Sequence, residues 1–210
     1  MSRPPIEILT GTAKSSIILL HGLGANGDDM APLAHALQLS DVRFVLPHAP
    51  IRPVSVNNGY RMPAWYDIRQ ADICADQDEA GFKESRTTVA GLIEHETTRG
   101  IAPQRIVLAG FSQGGAVALY TGLTLGIPLA GIAGLSTYLP ALVKTAETPP
   151  VWLAHGTDDD VIPLVANQRS FGAFPASDLT THLYPMRHEI CQEEITDLRN
   201  WLLLRLASTG

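Results

Sequence analysis

Cysteine is scarce in this chain. Two residues, Cys74 and Cys191, stand in 210, too few for a disulfide framework, and free thiols in a reducing cytoplasm are the expected state. Basic residues are also in short supply: 15 Lys and Arg against 21 Asp and Glu give a formal charge of −6. No Lys/Arg cluster offsets that charge, so nucleic acid is not an expected partner. Long hydrophobic runs are missing, and the apolar stretch around Ile17 to Leu20 is far shorter than a membrane span. The opening MSRPPIEIL lacks the apolar segment of a secretory signal. Charged residues make up only 17% and hydrophobic ones 45%, which argues against disorder. The expectation is a soluble, cytoplasmic protein with one domain over residues 1–210. Oligomeric state stays open, a homodimer included.

What the chain does have is an alternation. SSIILL, RFVLP, RIVLAGF, LAGIAGLS, VWLAHG and THLYP are short apolar runs closed by Gly, Pro or Ser, and they read as buried strands. Helix-period segments lie between them, over about Asp29 to Leu39, Glu79 to Thr98, Gln113 to Leu125, Leu164 to Phe174 and Glu193 to Ala207. Alternation of this kind predicts an α/β fold with a mostly parallel central sheet and helices on both faces. One segment breaks the rhythm. Residues 47–78 carry four prolines, the turn signal Asn57–Asn58–Gly59 and the aromatics Tyr60, Trp65 and Tyr66, and so read as a long functional loop. In an open α/β sheet ligands sit beyond the carboxyl ends of the strands, which directs attention to the strand-to-helix turns.

The strongest of these turns is Gly110–Phe111–Ser112–Gln113–Gly114, a G-x-S-x-G between a strand and a helix pattern. The chain must reverse tightly there, glycine leaves room for neighbouring backbone, and Ser112 is left presented for chemistry. A serine hydroxyl needs a base, and the base needs an anion to orient it. In the α/β-hydrolase fold the order is serine, acid, histidine, each on such a turn. Asp158, Asp159 and Asp160 follow the VWLAHG strand. Of seven histidines, His188 alone follows both the serine and the acids on a strand-to-helix turn. The pattern points to Ser112 as nucleophile, His188 as base and one of the three aspartates as the orienting acid.

Other chemistries fit less well. Gly22–Leu23–Gly24–Ala25–Asn26–Gly27 is formally G-x-G-x-x-G, but a dinucleotide site needs an acidic residue at the end of the next strand, where only Pro47 and His48 stand. In a hydrolase the same glycines let the backbone N–H of Leu23 join that of Gln113 at a developing oxyanion. His188–Glu189 begins an H-E-x-x-H, yet Gln192 occupies the second histidine's place, so no metal is expected. Cys191 reads as a small buried residue rather than a nucleophile.

The resemblance then becomes specific. Gly110–Phe111–Ser112–Gln113–Gly114–Gly115, His155–Gly156, Pro185–Met186–Arg187–His188, His21–Gly22–Leu23–Gly24 and Ala64–Trp65–Tyr66–Asp67–Ile68 together resemble the phospholipase/carboxylesterase family, which includes small bacterial carboxylesterases and acyl-protein thioesterases. The likeness spans nearly the whole chain. It implies an α/β-hydrolase fold without a separate cap domain and a serine esterase or thioesterase acting on apolar acyl groups, with no cofactor. It selects Asp159, the fourth residue after His155, as the acid, and supports Leu23 and Gln113 as oxyanion donors. Trp65, Met62 and Leu23 are the expected acyl contacts. Two residues depart from the family pattern: Asp160 stands where proline is usual, and Thr137 stands where glycine is frequent, a side chain expected to narrow the mouth of the site. An inactive binding protein on the same fold, or an acyltransferase, are the alternative functions, and the intact set Ser112, Asp159 and His188 weighs against the first.

Overall fold

The computed structural model describes residues 3–70, 72–73, 75–141, 143, 148–171, 174 and 178–207. Its elements follow the chain as β1 (Ile6–Leu9), β2 (Ser15–Leu20), α1 (Ala31–Ala36), β3 (Val42–Leu46), β4 (Ile51–Val54), β5 (Tyr60–Pro63), α2 (Glu79–Thr98), β6 (Ile106–Phe111), α3 (Gln113–Thr124), β7 (Gly131–Leu135), β8 (Val151–Gly156), α4 (Leu164–Phe171), β9 (Leu179–Tyr184) and α5 (Gln192–Leu206). Seven strands form the main sheet in the order β1-β3-β2-β6-β7-β8-β9. All neighbours are parallel except β1, which lies antiparallel on β3 with Ile6 opposite Leu46. Among the described residues no separate cap domain is present, and no helix is long and apolar enough to cross a membrane.

The central strands are apolar throughout because both faces of the sheet are covered. Along β2, Ile18 and Leu20 join the core under α2 and α3, whereas Ile17 and Leu19 join the core under α1 and α5. In β6, Ile106 and Leu108 take the first side, and Val107 and Ala109 the second. A strand alternates its side chains between faces, so a strand inside two cores must be apolar at every position.

Differences from the expected elements have local causes. The segment over 47–78 is not plain loop: β4 and β5 pair antiparallel as a hairpin, Ile51 opposite Pro63 and Val54 opposite Tyr60. Its turn residues Asn58 and Gly59 take the left-handed φ values of 55° and 74° that its tip requires. The helix expected over Asp29 to Leu39 divides into a 3₁₀ turn, Gly27–Met30, capped by Asn26, and the short α1. The α4 helix is described to Phe171; residues 172 and 173 of its expected end lie outside the described residues. Strand β1 escapes a search for apolar runs because its IEIL alternates half-buried and exposed positions at the sheet edge.

Candidate active site

Four turns at the carboxyl ends of β2, β6, β8 and β9 converge. The turn after β6 is set by crowding. Ser112 stands between β6 and α3 with φ 54° and ψ −120°, a conformation L-residues adopt only when their surroundings impose it. The surroundings are backbone. A side-chain carbon on Gly110 would collide with the Gly114 carbonyl, and one on Gly114 with the Leu20 and His21 carbonyls. One on Gly115 would collide with the Gly110 carbonyl and with the Thr137 side chain. The strand, the helix and β2 thus meet at distances that no side chain survives, and the serine is held at their junction.

The turn after β8 is set by hydrogen bonds. Asp159 faces inward, its side chain fully buried. Its Oδ1 accepts the backbone N–H groups of Val161 at 2.9 Å and Ile162 at 2.8 Å. Its Oδ2 lies 2.8 Å from His188 Nδ1. The Nε2 of buried His155 is 3.3 Å from the same oxygen and 2.8 Å from the Ile162 carbonyl. Burial holds the His155 imidazole below its ordinary pKa, so it sits here as a neutral donor. The neighbouring acids face solvent: Asp158 accepts from the Thr157 hydroxyl, and Asp160 pairs with Arg187.

His188 closes the arrangement. Its Nε2 is 2.9 Å from Ser112 Oγ, so an unbroken line runs from the Asp159 carboxylate through the imidazole to the hydroxyl. With Nδ1–H donating a hydrogen bond to Asp159, Nε2 presents its lone pair to the serine. The Phe111 ring packs against the imidazole, centroids 4.8 Å apart.

The turn after β2 faces Ser112. A carbon added at Gly22 would lie 3.4 Å from Ser112 Cβ, which shows how closely the two backbones pass. Among the described residues, neither the Leu23 N–H nor the Gln113 N–H is engaged in a hydrogen bond. Met62 on the hairpin packs beside this turn, its Sδ 3.7 Å from where a Gly24 side chain would begin, and the Gly24 N–H donates to the Pro63 carbonyl. Leu23 and Met62 are half-buried.

Two expected residues play other parts. Trp65 exposes none of its surface and so lines no open acyl cleft in this structure. Its indole N–H donates to the His21 carbonyl, and its backbone N–H donates to the Gln113 side chain, which in turn donates to the Tyr66 carbonyl. Trp65 therefore braces the turn after β2 against the turn after β6. Thr137 does not narrow a mouth, because it too is fully buried, with its hydroxyl donating to the Ser112 carbonyl. Sequence reasoning named His21, His155 and Thr137 in its motifs but missed their roles, since hydrogen bonds from His21 to Gly22, His155 to Ile162 and Thr137 to Ser112 leave no local signal. Cys191 is a free, half-buried thiol that caps α5, accepting from the Glu194 N–H, and Cys74 lies outside the described residues.

Comparison with known proteins adds a family and relatives. The model of a family described as phospholipase/carboxylesterase matches residues 3–205. The chain is 40% identical over 215 residues to acyl-protein thioesterase 1 of Mycosarcoma maydis, covering 90% of each protein. It is 38% identical over 217 residues to acyl-protein thioesterase 1 of Cryptococcus neoformans var. neoformans serotype D, covering 90% of this chain and 91% of that one. The crystal structure of Zea mays acyl-protein thioesterase 2 superposes with a TM-score of 0.86 at 31% identity, over 99% of this chain and 100% of that one.

Proposed function

The chain belongs to the phospholipase/carboxylesterase family and is a serine hydrolase of carboxylic esters and thioesters; from that premise we propose that Ser112, His188 and Asp159 carry the reaction. The observation that supports this most is the continuous Asp159–His188–Ser112 line, with spacings of 2.8 and 2.9 Å, ending at a serine held at positive φ. Ser112 Oγ attacks the acyl carbonyl while His188 Nε2 takes its proton. The carbonyl electrons move onto oxygen, and the Leu23 and Gln113 N–H groups meet that oxyanion. The leaving alcohol or thiol departs with the proton from His188, and water releases the acyl group by the same steps in reverse order. Asp159 stays ionised and fixes the imidazole tautomer.

Leu23 and Met62 form the acyl side of the site in this reading, with Trp65 supporting them from the core. The substrate is an ester or thioester with an apolar acyl chain, and the thioesterase relatives favour an acylated protein as its carrier. Work in the cytoplasm, as one domain and without nucleic acid, completes the reading. The test is covalent labelling. A fluorophosphonate is expected to add once, at Ser112. Ser112→Ala is expected to lose labelling and about 10⁴-fold or more of ester hydrolysis, with an unchanged far-UV spectrum. Full hydrolysis by the alanine variant would overturn the assignment.

A further inference from the structure

Each oxyanion donor belongs to a peptide group with a carbonyl at its other end. The Leu23 N–H shares a peptide plane with the Gly22 carbonyl, and the Gln113 N–H shares one with the Ser112 carbonyl. Both peptides are trans, so in each unit the N–H points opposite to its own C=O. Whatever grips the carbonyl therefore aims the N–H.

Both carbonyls are gripped by buried side chains. His21 Nδ1 lies 2.7 Å from the Gly22 oxygen. Its Nε2 accepts the Ala49 N–H at 3.0 Å, so the proton sits on Nδ1 and the imidazole is the donor to Gly22. The Thr137 hydroxyl donates to the Ser112 oxygen at 2.7 Å. The Ala116 N–H reaches the same oxygen at a longer 3.2 Å. His21 and Thr137 are both 0% exposed, so water does not compete for either bond. A carbonyl that accepts a hydrogen bond also polarises its own peptide and strengthens the donor at the far end.

We propose that His21 and Thr137 are paired positioning residues of the oxyanion hole, each aiming and polarising one donor peptide from its carbonyl side. Neither touches substrate. This rests on the reading of Leu23 and Gln113 as oxyanion donors and adds the groups that hold them.

The decisive variants are Thr137→Val, which keeps the branched shape and deletes the hydroxyl, and Thr137→Ser, which restores it. Removing a whole oxyanion donor typically costs about 10²–10³ in rate, and loosening its aim costs part of that. Thr137→Val is expected to lower kcat about tenfold on a short-chain p-nitrophenyl ester, with KM within about twofold. Affinity for a trifluoromethyl ketone, which forms a tetrahedral oxyanion with Ser112, is expected to fall in parallel. Thr137→Ser is expected to return both to within about threefold of the parent. His21→Leu is expected to show the same split; should it fail to fold, the Thr137 pair carries the test. A parent-like kcat in Thr137→Val, a loss seen only in KM, or no rescue by serine would overturn the inference. If one of those contrary results appears while Ser112 still takes the fluorophosphonate, the inference alone fails; if Ser112 of the parent takes none, the underlying reading falls and the inference with it.

Discussion

The turn that carries Ser112 and the turn that carries Asp159 solve one problem by opposite means. Both must hold a single side chain in a set direction at the end of a parallel strand. At residues 110–115 the means is exclusion: Gly110, Gly114 and Gly115 let three backbones meet where no added carbon fits. At residues 155–162 the means is attraction: two backbone N–H groups and two imidazoles converge on one buried carboxylate. Close packing tolerates almost no change in volume. A hydrogen-bonded turn tolerates changes in volume but not in donors, acceptors or charge. The two turns should therefore fail differently.

The largest effect is expected at the crowded turn. Gly114→Ala pushes a methyl against the Leu20 and His21 carbonyls and is expected to destabilise the fold by about 1–3 kcal/mol or more, read by chemical denaturation. Gly91, mid-way along the exposed face of α2 with nothing within 4 Å of an added carbon, is its contrast. Gly91→Ala is expected to stabilise by about 0.5–1 kcal/mol. If both variants behave alike, crowding is not what shapes the elbow.

A further effect sharpens the side of the comparison governed by charge. Glu194 in the first turn of α5 is completely buried, and neither carboxylate oxygen has a partner among the described residues. Burial pushes its pKa up to about 8. An acid whose folded pKa is raised binds its proton more tightly folded than unfolded, so its share of stability is present at acid pH and is lost as pH rises toward 8. The melting temperature of the parent is expected to fall between about pH 5 and 8 relative to Glu194→Gln, by the equivalent of a few kcal/mol at most. Parallel melting curves across that range would show that Glu194 is not held protonated.

How much of this was legible in the sequence follows the same division. Strands β2 and β8 and the helix α2 lie at the residues read from pattern alone, because burial on both faces and helical periodicity each leave a continuous local signal. The close approach at Ser112 was legible through its flanking glycines. Strand β1 and the β4–β5 hairpin were not, since a four-residue edge strand is stabilised by its partner and not by its own composition. The Trp65 brace joins residues 44 and 48 positions apart, and the Thr137 bond spans 25. Nothing local records which donor meets which acceptor across such separations. Of the three adjacent aspartates, residue type could not choose; burial distinguishes them, with Asp159 turned inward and the other two exposed.

That distinction permits the most direct test. Asp158→Asn, Asp159→Asn and Asp160→Asn remove the same charge from three consecutive positions, so only geometry separates them. The measurement is kcat/KM for each variant on one short-chain p-nitrophenyl ester. In a serine protease, asparagine in place of the triad acid costs about 10⁴ in kcat by favouring the wrong imidazole tautomer. Asp159→Asn is expected to lose activity on that scale. Asp158→Asn is expected to stay within about tenfold, and so is Asp160→Asn, because its pair with Arg187 is exposed and screened by solvent. Near-parent activity in Asp159→Asn, with either neighbour crippled instead, would contradict the Asp159–His188–Ser112 line on which the account stands.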